Sequence, residues 1–132
     1  MHKILVAAFL GSCLIASTAG FAQDAMMPSG VKSMGGMLTD GKGMTLYTYD
    51  RDSHFQSTCN GACAKAWPPL PARSEHNHGS WAMMMRSDGT KQWAYRGKPV
   101  YTFAQDKAPG DAKGDNLGPK GSHLWHVIKV VG

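Results

Sequence analysis

A ten-residue segment occurs twice in the chain. Gly43 to Asp52 reads G-M-T-L-Y-T-Y-D-R-D, and Gly97 to Asp106 reads G-K-P-V-Y-T-F-A-Q-D. Both hold the pattern Y-T-[YF]-x-x-D, carried by Tyr47, Tyr49 and Asp52 and again by Tyr101, Phe103 and Asp106. Each copy is followed downstream by a tryptophan, Trp67 or Trp125. A repeated unit cannot close a core alone but can pack against its copy. The expectation is a duplicated β unit about a pseudo-twofold axis, with Tyr47 equivalent to Tyr101 and Asp52 to Asp106. Side chains alternate along a strand, so Leu46 and Thr48 should share one face while Tyr47 and Tyr49 share the other. The two aspartates end their strands, where carboxylates commonly accept backbone N–H groups of the following loop.

The remaining pattern is also of short strands and turns. Met37–Thr39 and Met44–Tyr49 flank D-G-K-G, a hairpin signal. Trp81–Arg86 and Lys91–Tyr95 flank S-D-G-T. Val100–Phe103 and Leu124–Val131 complete the set. The last is so apolar that it must be covered, because an exposed edge of that kind aggregates. Residues 105–122 form a long Gly/Pro/Asp/Lys loop, and such loops are functional or mobile. The fold class expected is mainly β: a small antiparallel domain over residues 37–132, built from two related halves at about 37–71 and 80–131. One short helix is expected near 61–67.

That helix lies in C-N-G-A-C-A-K-A-W-P-P, residues 59–69. Asn60 is a suitable N-cap, the alanines favour helix, and Pro68 makes Trp67 the last residue that can be helical. A helix this short needs external fixing. A structural disulfide between Cys59 and Cys63 supplies it, provided Cys59 lies outside the helix and swings in. A redox-active pair or a metal thiolate is the other use of two such cysteines.

Residues 1–22 read as a secretory signal: His2 and Lys3, a short apolar run from Ile4 to Ala16, and small residues at Gly20 and Ala22. The run is too short for a permanent membrane span. Leu10-Gly11-Ser12-Cys13 looks like a lipobox, but Cys13 sits inside the apolar run. Residues 23–36 are expected to be a flexible arm. Export places the cysteines where disulfides persist. Without Lys3 the net charge is +4, one less than the +5 of the full chain. That charge is scattered, so a solvated surface is favoured over a nucleic-acid site.

No nucleophile elbow, phosphate loop or zinc-protease motif occurs, and no catalytic residue is assigned. Metal ligation has better raw material. His76 and His78 are one residue apart, and His123 and His126 are three apart. Methionines cluster at Met26-Met27, Met34, Met37 and Met83–Met85. Imidazole and thioether suit copper, although methionine also fills cores. Haem attachment is disfavoured, because Ala64 follows C-N-G-A-C where C-x-x-C-H has histidine. Trp67, Trp81, Trp93 and Trp125 form a candidate binding surface. The plainer role for them is the core of a small domain short of aliphatics.

The paired Y-T-[YF]-x-x-D segments, the cysteine stretch, D-G-x-x-Q-W-x-Y-x-G-K-P-V-Y and the closing Trp125-His126 resemble the bacterial secreted-repeat, lipoprotein-like proteins. The resemblance covers about residues 37–128. It implies an exported and often membrane-anchored protein, and it implies no activity. The chain departs from the lipoprotein pattern in the placing of Cys13. The reading reached is an exported, non-enzymatic binding or envelope-associated module in the periplasm or outside the cell, without a cofactor. An envelope protein, a glycan or a small ligand would be the partner, with membrane association open. The alternative is a copper-binding or thiol-redox protein.

Overall fold

The computed structural model describes residues 27–73 and 76–130, together with Gly11. Apart from Gly11, the signal expected over 1–22 lies outside the described residues, as do residues 23–26 of the expected arm. The described elements are β1 Val31–Met34, β2 Met37–Asp40, β3 Tyr47–Tyr49, α1 Ala62–Ala66, β4 Trp81–Met85, β5 Lys91–Tyr95, β6 Lys98–Pro99 and β7 Trp125–Val127. The strand pairings are antiparallel: β1 with β2, β3 with β7, β4 with β5, and β5 with β6.

The two halves meet at their repeated tyrosines. The Tyr47 N–H donates to the Tyr101 carbonyl at 2.8 Å, and the Tyr101 N–H donates back at 3.0 Å. Two residues that exchange both bonds lie on the pseudo-twofold axis of an antiparallel pair. Away from that point each half repeats the same ladder. Tyr47, Thr48 and Tyr49 lie opposite Val127, His126 and Trp125. In the second half Tyr101 bridges Pro69, and the Thr102 N–H donates to the Pro68 carbonyl at 2.8 Å.

Two prolines therefore stand where His126 and Val127 stand in the other half. Proline has no N–H to give a ladder. This explains a difference from the expected strand at Val100–Phe103: regular pairing is confined to β6, with Tyr101 held by isolated bridges to Tyr47 and Pro69. The last strand is shorter than Leu124–Val131, but its course is covered as expected. Ile128 donates to the Leu46 carbonyl at 3.0 Å and accepts from the Leu38 N–H at 2.8 Å.

Leu46 and Val100 point into one apolar cluster with Leu38, Leu70, Trp93 and Ile128. Tyr47 and Tyr101 point the other way, into an aromatic cluster with Trp67, Phe103 and Trp125. Strand alternation thus divides the interior into an aliphatic-rich core and an aromatic one.

Two local expectations need correction. The arm expected over 23–36 does not extend to its last residues. Val31–Met34 pair in full register with Met37–Asp40, across Gly35 and Gly36 at φ 57° and 81°. Two adjacent glycines at positive φ are what a tight hairpin turn requires. The second correction concerns the helix start. Gly61, at φ 56°, occupies the N-cap position and no side chain caps α1. The Asn60 amide oxygen is instead turned toward Arg86 Nη2, 3.2 Å away. A guanidinium forms the stronger, charge-assisted bond, so it displaces the weaker capping contact. Cys59 and Cys63 are joined by a disulfide, with Cys59 just ahead of the helix.

Candidate functional site

The repeated tyrosines and aspartates bond across the axis. Tyr47 Oη donates to Asp106 Oδ2 at 2.6 Å, and Tyr101 Oη donates to Asp52 Oδ2 at 2.6 Å. Each hydroxyl is thus held by the carboxylate of the other repeat. The second oxygen of each carboxylate fixes its own following loop: Asp52 Oδ1 accepts the Thr58 N–H at 2.8 Å, and Asp106 Oδ1 accepts the Lys113 N–H at 2.9 Å. Burial, then the bond to the carboxylate, pushes both phenols well above the usual tyrosine range. Both remain neutral donors, engaged in holding the fold.

Between these locks runs a stack of four rings in the order Phe103, Trp67, Trp125, Tyr49. The central indoles are 3.8 Å apart and 2° from parallel, and each outer ring lies 4.1 Å from its indole. Tyr47 meets Trp67 edge-on at 5.2 Å, and Tyr101 meets Trp125 edge-on at 5.1 Å. Gly114 must lack a side chain here, since a Cβ would lie 2.4 Å from the Trp67 ring.

The expected aromatic binding surface is not present. Trp67, Trp81, Trp93 and Trp125 are 7%, 2%, 3% and 4% exposed. An indole buries more apolar area than any aliphatic side chain, and a small domain spends that area on its core.

The four histidines are dispersed. His126 Nε2 lies 2.7 Å from Asp50 Oδ2. His123 Nδ1 lies 3.0 Å from the Asn116 carbonyl. His78 meets the Trp93 ring edge-on at 5.9 Å, and His76 is exposed on the connection before β4. Of the methionines, Met84 is buried while Met34 and Met85 are exposed. Among the described residues no group of three or more His, Cys, Asp or Glu side chains is placed to hold a metal ion.

The structure brings together a group that the sequence reading passed over. A cleft of about 390 Å³ opens between the loop after Asp52 and the turn after β4, lined by His54, Phe55, Gln56 and Ser57 on one side and Met85, Arg86 and Ser87 on the other. Arg86 is only 6% exposed. Its Nη1 donates to Gln92 Oε1 at 2.7 Å and Ser57 Oγ at 3.1 Å, and its Nη2 to the Cys59 carbonyl at 2.6 Å and Asn60 Oδ1. All four acceptors are neutral. Ser57 Oγ is also 2.6 Å from Tyr101 Oη. A continuous chain of bonds therefore runs Asp52–Tyr101–Ser57–Arg86, from the axis to the surface. At the equivalent place in the other half, Tyr47 Oη accepts the Gly114 N–H at 3.2 Å, and no cationic side chain follows.

Phe55 sits in the left-handed region at φ 54°, with its N–H bonded to the Gly97 carbonyl at 2.7 Å. The His54 ring rests on Gly97, where a Cβ would lie 2.1 Å from it. Arg86 lacked a sequence signal because an arginine at a strand end before S-D-G-T reads as solvated.

A family described as a secreted repeat of unknown function matches residues 30–71 and again residues 82–129. The chain belongs to this family. The two matches coincide with the two halves that meet at Tyr47 and Tyr101, and the family's description agrees with an exported protein. No curated protein and no solved structure matches the chain. Among the described residues no helix is long and apolar enough to cross a membrane.

Proposed function

We propose that the chain is a non-enzymatic binding module, acting in the periplasm or outside the cell, with its ligand seated in the cleft over Arg86. One observation carries this reading. The two locks are alike, yet among the described residues it is the Tyr101–Asp52 lock that continues, through Ser57 of the first half, to the buried guanidinium of Arg86 in the second, beneath an open cleft. The aspartates, tyrosines and tryptophans of the repeat are engaged in holding the two halves together. Among the described residues the cleft is a concave feature furnished with both polar and apolar groups, the usual make-up of a ligand site. The copper alternative has less support, since His126 is bonded to Asp50 and His123 to a backbone carbonyl.

A small-molecule screen by ligand-observed NMR on the oxidised protein tests the proposal. Hits should compete with one another, and Met85→Trp, which fills the cleft from an exposed position without adding charge, should abolish their binding. Hits that bind Met85→Trp unchanged would place the site elsewhere.

A further inference from the structure

We infer that the ligand of this cleft is a small organic anion: a carboxylate attached to a compact aromatic or aliphatic body. The inference rests on the binding-module reading and gives that site its chemistry.

Among the described residues that line the cleft, Arg86 is the one permanently charged side chain and there is no carboxylate. A guanidinium withdrawn from water and surrounded by neutral acceptors is weakly screened, so its field reaches an adjacent site at close to full strength. Two carboxylates lie near it, and both are directed elsewhere. Asp52 stands behind Tyr101 and Ser57, occupied by Tyr101 and Thr58. Asp88 stands out on the turn, where its bonds to Thr90 hold its carboxyl below the usual range. The Ser57 proton is committed to Tyr101 Oη, and the hydroxyl of Ser87 and the amide of Gln56 add groups able to donate to an oxyanion.

The rim supplies the other half of the match. Among the described residues the exposed large apolar side chains are Met34, Phe55, Met85 and Leu117. Two of these four flank this one cleft, Phe55 at 41% and Met85 at 58% exposure. Phe55 is presented by a backbone conformation unfavourable for a bulky residue, and such conformations collect at ligand-handling sites. A cationic floor with hydroxyls beside it and an aromatic–thioether rim above it suits a charged head and an apolar body. The volume fits a molecule of about ten heavy atoms, and an open cleft of this kind gives dissociation constants of roughly 0.1–1 mM for such a ligand.

The experiment is an amide-resolved NMR titration of the oxidised full chain with benzoate, with benzamide as its neutral counterpart, and with acetate as the head alone. Benzoate should shift Phe55, Ser57 and Arg86. It should bind about tenfold more tightly than either benzamide or acetate, the factor expected of one charge-assisted contact or one apolar contact. Phe55→Gly, which suits the positive φ, should weaken benzoate about fivefold and leave the Trp67 and Trp125 resonances in place. Arg86→Gln should erase the preference for benzoate over benzamide. Should that variant not fold, benzylamine, the cationic counterpart, should bind the native chain more weakly than benzamide, and equal or tighter binding would overturn the anion assignment. Equal affinity for benzoate and benzamide at the cleft would overturn the anion assignment and leave the binding module standing. Shifts confined to other parts of the molecule, or no shift with any probe, would overturn both.

Discussion

The two halves use the same parts differently. Each places a tyrosine hydroxyl on the other's aspartate and an indole in the central stack. In the second half the lock closes on backbone, at the Gly114 N–H. In the first it passes to Ser57, which meets Arg86 of the second half, and the segment that holds Ser57 carries the Cys59–Cys63 disulfide and the strained Phe55. Symmetry is strict where groups must satisfy one another across the axis and absent where a loop meets solvent. Duplication thus supplies a rigid centre twice over and leaves one loop free to acquire a separate task.

The comparison is open to test at the stack, where the halves should respond alike. Trp67→Ala and Trp125→Ala should each cost about 3–5 kcal/mol in urea unfolding, as large aromatic truncations in cores do. The two costs should agree within about 1 kcal/mol. A cost confined to one tryptophan would mean that the stack belongs to one half.

The phenols should also behave alike. Their pKa values are raised in the fold by burial and then by the carboxylate. The folded protein therefore keeps protons that the unfolded chain releases, so stability is full below about pH 10 and falls above it. Each buried phenol should contribute a slope of about 1.4 kcal/mol per pH unit between its unfolded and folded pKa values. Tyr47→Phe and Tyr101→Phe should each remove one such contribution, half of the combined slope. Absorbance near 295 nm should show two of the four tyrosines ionising only on unfolding. Early ionisation of all four would contradict the buried locks.

The disulfide should separate the halves. Converting Cys59 and Cys63 together to alanine should cost about 2 kcal/mol, the entropy of so small a loop. Amide exchange should quicken in residues 57–63 and stay unchanged in residues 111–117. An equal rise in both segments would show that the crosslink supports the whole domain.

The smallest effect is at two of the four described non-glycine residues with positive φ, Phe55 in the loop after Asp52 and Asn116 in the loop after Asp106. Phe55→Gly should stabilise by up to about 1 kcal/mol, the relief of left-handed strain less the added freedom of the unfolded chain. Asn116→Gly, from φ 60°, should be neutral within about 0.5 kcal/mol, because asparagine visits that region readily. Thermal unfolding of both variants checks the difference, and equal effects would remove the claim that the first loop is the strained one.

Duplication was legible because Y-T-[YF]-x-x-D recurs with its tryptophan, and strand alternation correctly separated Leu46 from Tyr47. The hairpin at Val31–Asp40 was not, because K-S-M-G-G-M lacks the apolar alternation that marks a strand. Proline at 68 and 69 announced the end of the helix, but not that the same two residues would thin the ladder opposite Tyr101 and Thr102. The tryptophans were read as possible surface because a sequence lists ring types and not their exposure. Arg86 was overlooked for the converse reason. Its acceptors come from two separate segments, Ser57, Cys59 and Asn60 from one and Gln92 from the other, and meet Arg86 only once the chain is folded.

The crossed tyrosine–aspartate bonds bear on the origin of the molecule. An isolated repeat would bury a hydroxyl and a carboxylate with nothing to receive them, whereas two copies complete one another. That reciprocity, in which residue i meets j and j meets i, is the mark of an isologous homodimer. The pair is accordingly the unit in which these groups are satisfied, as they would be in such a dimer. Two repeats in one chain need not carry the same loop, and the loop of the first, through Ser57, meets Arg86 of the second.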